Sequence, residues 1–200
     1  MPQFDLRHIY AAKYVNTNGT ITYTDPQQVG DAMTANLELR YAEGRLYAES
    51  TLAEYMRKAV GGTISLGVKY IKDNAQQLLF GKRAKSRSIT YTPAGGSTST
   101  TTSVAGLIIG GGDEGQYVGV AFYAPDMVDG VKKYTCAFVH KALFGPPGMS
   151  LQTAGESIQF NTPTTSGEFL ADDSATHELF ETAVVDTEEQ AIAWVTAVLA

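Results

Sequence analysis

The sequence predicts a mainly β protein of one domain spanning residues 1–200. Three observations carry that expectation: side chains alternate with period two along several segments, turn residues punctuate those segments, and only two stretches have the composition and ends of a helix. Period two places every second side chain on one face of a strand, so Ile64, Leu66, Val68 and Tyr70 against Thr63, Ser65, Gly67 and Lys69 read as a sheet with one buried face.

Taken in order, Leu6–Tyr14, Asn36–Tyr41, Arg45–Ser50, Gly62–Tyr70, Tyr117–Tyr123, Tyr134–Phe144, Ser157–Thr162 and Gly167–Leu170 are predicted strands. Asn16-Thr17-Asn18-Gly19, Asp25-Pro26, Asp129-Gly130 and Gly145-Pro146-Pro147-Gly148 supply turn chemistry, and Asp129-Gly130 pairs the strands on either side of it as a hairpin. A short flanking helix is predicted over Asp73–Phe80, started by Asp/Asn and stopped at Gly81. A C-terminal helix is predicted over Thr187–Leu199 within an extension covering residues 174–200. Asp186 is its expected cap, and Ile192, Val195 and Leu199, with Trp194 and Val198 beside them, form its apolar stripe. Residues 82–115 shift to basic, then Ser/Thr-rich, then glycine-rich composition, which predicts a long flexible loop or protruding hairpin.

With 44% hydrophobic and 18% charged residues, the chain has enough apolar surface to fold. No apolar run approaches the length of a membrane span and the first ten residues lack a secretion-signal core, so a soluble chain with no membrane partner is expected. A net charge of −6 argues against nonspecific nucleic-acid binding. The charge is also uneven: no Lys or Arg follows Lys141, whereas Glu156, Glu168, Asp172, Asp173, Glu178, Glu181, Asp186, Glu188 and Glu189 do. That pattern suggests an acidic solvated surface, or one that meets a basic part of another copy.

No constellation commits to catalysis. Gly110, Gly112 and Gly115 match a G-x-G-x-x-G spacing, but the segment after them alternates like a strand, whereas a dinucleotide site needs a helix there. His8, His140 and His177 lie far apart and form no short metal-binding pair. Cys136, in an alternating apolar strand, reads as a small buried hydrophobe. Asp172-Asp173 and Glu188-Glu189 are adjacent pairs whose side chains point apart, expected to be solvated. Asn18-Gly19-Thr20 fits a glycosylation sequon but reads better as a hairpin turn. No enzyme, cofactor or metal is therefore expected. The basic run Lys82, Arg83, Lys85 and Arg87 is a candidate contact with acidic surface on a neighbouring subunit.

Gly61-Gly62-Thr63-Ile64-Ser65-Leu66-Gly67-Val68, the short helix ending at Leu79-Phe80-Gly81, and Gly155-Glu156-Ser157-Ile158-Gln159-Phe160-Asn161-Thr162-Pro163-Thr164 with Gly167 and Phe169 resemble, in that order, the major tail proteins of siphovirus-type phages. Leu6-Arg7-His8-Ile9-Tyr10-Ala11-Ala12 and Leu46-Tyr47-Ala48 are similar as well. The resemblance implies a tail-tube-type β-sandwich or barrel and self-assembly into stacked hexameric rings. It also implies a virion location, with assembly in the host cytoplasm. Implied partners are other copies of the chain, a tape-measure protein, and tail terminator and distal tail proteins, with DNA only as passing cargo. The Ser/Thr/Gly tract at 95–103 and the segment after Asp173 depart from the family pattern. A β-sandwich module that binds carbohydrate or a receptor through exposed tyrosines is the alternative.

Overall fold

The computed structural model describes residues 5–49, 51–149 and 162–200. Its elements are β1 (Arg7–Thr17), β2 (Thr20–Gly30), β3 (Ala32–Ala48), β4 (Thr51–Val68), α1 (Asp73–Phe80), β5 (Arg83–Tyr91), β6 (Thr100–Ile108), β7 (Val118–Val128), β8 (Val131–Phe144), β9 (Thr164–Leu170), β10 (Phe180–Val185) and α2 (Glu188–Val198). The fold is mainly β, with a large antiparallel sheet, a short helix and a C-terminal helix. The strand expected over Ser157–Thr162 lies outside the described residues up to position 161.

The main sheet runs β2-β1-β7-β8-β9-β4-β3, all pairs antiparallel, and β10 joins it along the other half of β8. Residues Tyr134–Val139 of β8 pair with β10, whereas Lys141–Phe144 pair with β9, so the two strands share one edge of β8. The segment after β4 is tied to the end of β2 and the β2–β3 junction, where the Lys69 and Lys72 N–H groups donate to the Asp31 and Val29 carbonyls.

Local chemistry explains the hairpins. Asn18 and Gly19 have φ of 54° and 85°, and Asp129 and Gly130 have 52° and 79°; paired positive φ is what two-residue hairpin turns demand. Asp25-Pro26 is not a turn: both residues lie within β2, an edge strand where the missing proline N–H costs no ladder bond. Asn36–Tyr41 and Arg45–Ala48 are likewise not separate strands but parts of β3, and Ser50, the expected end of the second, lies outside the described residues. The strand read as ending at Tyr70 stops at Val68, leaving Tyr70 exposed and burying Ile71 as the chain turns into α1.

Two apolar clusters result from alternation. Ile9, Val29, Ile64, Leu66, Val68, Val118, Val120, Val139 and Phe169 form one with Ala75, Leu79 and Phe80 of α1. Ala121, Tyr123, Tyr134, Cys136 and Phe138, on the opposite face of β7 and β8, form the other with Ala191, Val195 and Leu199 from the C-terminal helix region. Each fully buried Leu, Ile, Val or Phe side chain contributes about 1.5–3 kcal/mol of transfer free energy.

The helix ends differ from expectation in detail. α1 starts at Lys72 without a side-chain cap and ends at Gly81 in the left-handed region, φ 65°, where its N–H reaches the Gln77 carbonyl. α2 is capped by Thr187 rather than Asp186, through a capping box in which the Thr187 side chain and Gln190 exchange hydrogen bonds with each other's backbone. Its docked face is Ala191, Val195 and Leu199, and Ile192 stays 45% exposed.

Candidate functional site

Two hairpins present large surfaces that the core does not cover. From Tyr41↔Ala59 to Tyr47↔Leu52, β3 and β4 continue their pairing with side chains exposed on both faces. Tyr41, Leu46, Tyr47, Leu52, Tyr55, Met56 and Val60 are the large apolar groups exposed there. Alternation puts Tyr41, Glu43 and Arg45 opposite Ala59, Arg57 and Tyr55 on one face. On that face Arg57 lies 3.7 Å and Arg45 5.7 Å from the ring centroids of Tyr41 and Tyr55. Glu43 meets both guanidiniums, at 3.4 Å from Arg45 and 3.5 Å from Arg57. A hydrogen bond from the Tyr55 hydroxyl to Glu43 raises the phenol's pKa.

Residues 82–115, expected as a loop or hairpin, contain the second sheet: β5 and β6 pair over their whole length, from Arg83↔Ile108 to Tyr91↔Thr100. Thr100–Ser103 of the Ser/Thr tract and the apolar Val104–Ile108 together make β6. One face of this hairpin carries Arg83, Lys85, Arg87, Ile89 and Tyr91 with Val104, Gly106 and Ile108. The other carries Ala84, Ser86, Ser88 and Thr90 with Thr101, Ser103, Ala105 and Leu107. The basic residues thus share one face with Ile89, Tyr91, Val104, Ile108, Thr100 and Thr102, and the other face is mostly small residues with Leu107.

The basic run separates into two roles. The Lys82 ammonium donates to Gln76 Oε1 at 2.7 Å, and the Arg83 guanidinium meets Asp113 at 3.1 Å. Lys85 and Arg87 sit on exposed strand positions beside Ile89 and Val104. Asp113 accepts the Gly110 N–H at 2.7 Å, and that hydrogen bond, with the Arg83 contact, lowers its pKa. Gly110–Asp113 is thus a turn, followed by β7 and not by a helix, so the glycine spacing builds no phosphate cradle.

The acidic C-terminal part is not left facing solvent as a block. Glu168 meets Arg40 at 3.5 Å, Asp173 meets Lys141 at 2.8 Å, Asp186 meets Lys133 at 3.1 Å and Glu188 meets Arg7 at 2.8 Å. Folding brings the basic early residues to the acidic late ones, so much of the charge polarity along the sequence is neutralised within the monomer.

Asp172, Asp173 and Glu188 of the adjacent acid pairs are engaged, contrary to the solvated reading, whereas Glu189 is exposed. Asp172 is buried at 4% exposure, and its Oδ1 accepts the Ser174 and Glu178 N–H groups and the Ser174 hydroxyl. Hydrogen bonds from Lys141, Asn16 and Tyr14 hold the Asp173 carboxyl down to about 2. Glu188 accepts from the Tyr123 hydroxyl at 2.9 Å and from Arg7 at 2.8 Å, and both lower its pKa. Cys136 is fully buried, and desolvation pushes its thiol up to about 11. His8 stacks on Tyr123, with ring centroids 5.4 Å apart, while His140 and His177 both lie at Asp172.

No family model and no curated protein matches the chain. Among the described residues, β2, β3 and β10 each have one strand neighbour and β5 and β6 have only each other, so their outer backbone groups are open to pairing. No helix is long and apolar enough to cross a membrane.

Proposed function

We propose that this chain is a structural subunit that assembles with copies of itself into stacked rings, forming a tube of the kind through which a long-tailed phage passes DNA around a tape-measure protein. The observation that carries this reading is the pair of hairpins, β3–β4 beyond Tyr41 and β5–β6, both built almost wholly of exposed residues. A monomer gains little from extending two strands to 17 and 18 residues when their distal halves bury nothing. An assembly does gain, because exposed apolar side chains and unpaired strand edges are covered when copies meet. In this reading the edge strands β2, β3 and β10 join copies laterally, and the hairpins reach from one ring to the next. The net charge of −6 suits a conduit whose wall does not hold passing DNA.

The test removes one hairpin. Deleting residues 84–107 between the paired positions Arg83 and Ile108 takes out both strands in register. The shortened chain is expected to keep a folded, β-rich circular-dichroism spectrum and to lose high-order species in sedimentation velocity. Tubes of normal length from the shortened chain would remove the hairpin from the assembly mechanism.

A β-sandwich module binding carbohydrate or a receptor is the second reading, favoured by the exposed Tyr41, Tyr47, Tyr55 and Tyr91 on the hairpins. Glycan binding by a chain that stays monomeric at all concentrations would support it over tube assembly.

A further inference from the structure

His140 lies where the β7–β8 ladder slips: Val118 faces Ala142, whereas Val120 faces Val139, so β8 carries an extra residue there. Such bulges re-aim side chains. The imidazole packs against the Phe138 ring, with centroids 4.7 Å apart, and the residue is only 8% exposed. Its Nε2 is buried and has no hydrogen-bond partner. An unpaired buried nitrogen is costly unless something outside the chain satisfies it.

Two carboxylates approach this ring without closing on it. Asp172 Oδ2 stands 3.8 Å from Nδ1, and Glu178 Oε2 stands 3.6 Å from Nε2, both beyond hydrogen-bond reach. Oδ1 of Asp172 is occupied by its bonds to Ser174 and the Glu178 N–H, which fixes the carboxylate with Oδ2 toward the ring. One donor atom from each of His140, Asp172 and Glu178 can be chosen so that all three lie within 4.8 Å of one another.

We propose that His140, Asp172 and Glu178 form a binding site for a zinc-class divalent transition-metal ion. Donors bonded at about 2.0–2.2 Å in a tetrahedral site stand roughly 3.3–3.6 Å apart, so the widest pair closes by up to about 1.2–1.5 Å. Glu178 supplies that movement, since its side chain is 51% exposed while its backbone N–H remains tied to Asp172. An imidazole donor favours zinc, nickel or copper over calcium or magnesium, and the two carboxylates balance the divalent charge. Water completes the fourth position. The Ser174 and Glu178 bonds to Asp172 act as the outer partners that orient a ligand. Bound there, the ion clamps the segment between β9 and β10 onto β8, fixing the C-terminal extension to the main sheet.

The experiment is equilibrium dialysis of the full chain against Zn²⁺ with the retained metal counted, alongside the thermal midpoint with and without zinc. Wild type, E178Q, H140Q and the distant control H8Q are compared. Wild type and H8Q are expected to retain about one zinc each and to gain in midpoint, because a ligand that binds only the folded state stabilises it. E178Q is expected to lose at least ~10-fold in affinity together with the zinc-dependent gain in midpoint. Co²⁺ in place of zinc should give visible d–d bands with wild type that E178Q lacks. Should H140Q fail to fold, E178Q still decides, since Glu178 is half-exposed. No retained zinc in wild type, or equal retention and equal gain in E178Q, overturns the site.

Discussion

The guanidinium of Arg57 lies over the ring of Tyr41, 3.7 Å from its centroid, joining β4 to β3 across a part of the hairpin that touches no core. A cation over an exposed ring contributes about 0.5–1 kcal/mol. Because the distal hairpin has few other supports, Tyr41→Ala should speed amide exchange across residues 41–59 while leaving the global unfolding midpoint nearly unchanged. A large drop in that midpoint would mean the hairpin is part of the cooperative core.

Gly62 has no room for a side chain. A Cβ there would come 2.1 Å from the Glu38 carbonyl oxygen and 2.4 Å from the Phe169 ring. Backbone on one side and a fully buried ring on the other cannot both yield, so Gly62→Ala should destabilise by at least ~1–3 kcal/mol. Urea unfolding of the variant measures it, and a change under ~0.5 kcal/mol would contradict the packing of β9 on β4.

Glu188 joins α2 to β1 and β7 through Arg7 and the Tyr123 hydroxyl. Its folded pKa lies below the ordinary glutamate value of 4.5, so its contribution is complete above that value and is lost as pH falls through the folded pKa. Glu188→Gln should therefore be less stable than wild type near pH 7, with the difference shrinking steadily below about pH 4.5. Denaturant midpoints from pH 7 to pH 3 check this; a difference that stays constant would contradict it.

Thr187→Ala removes the side-chain acceptor of the capping box at the start of α2. Loss of such a cap costs about 1 kcal/mol, or roughly 2–4 °C in the thermal midpoint of a chain this size. Asp186→Ala should cost much less, because its side chain meets Lys133 at the surface and does not cap the helix. Equal losses in the two variants would return the cap to Asp186.

Much of the fold was legible because burial imposes a period. Ile64, Leu66 and Val68 alternate toward the core, and the strands flanking Asp129-Gly130 pair as their turn chemistry requires. β2 was not legible, since most of Thr20–Gly30 is polar or exposed and contains Pro26, which only an edge strand tolerates. The outer half of β4 and all of β5 and β6 bury almost nothing, so no buried face gives them a period; only the Arg45–Ser50 strand and the loop or hairpin over 82–115 were expected in these two hairpins. For β6 the signal present was β-propensity: threonines followed by Val104, Leu107 and Ile108. His140, Asp172 and Glu178 come from β8 and from the segment between β9 and β10, and only the branching of the sheet at β8 brings them together.

Negative-stain electron microscopy of the purified chain at rising concentration tests the central claim most directly. Tube assembly predicts rings and then stacked tubes as concentration increases. A chain that stays monomeric throughout, with both hairpins intact, would contradict it.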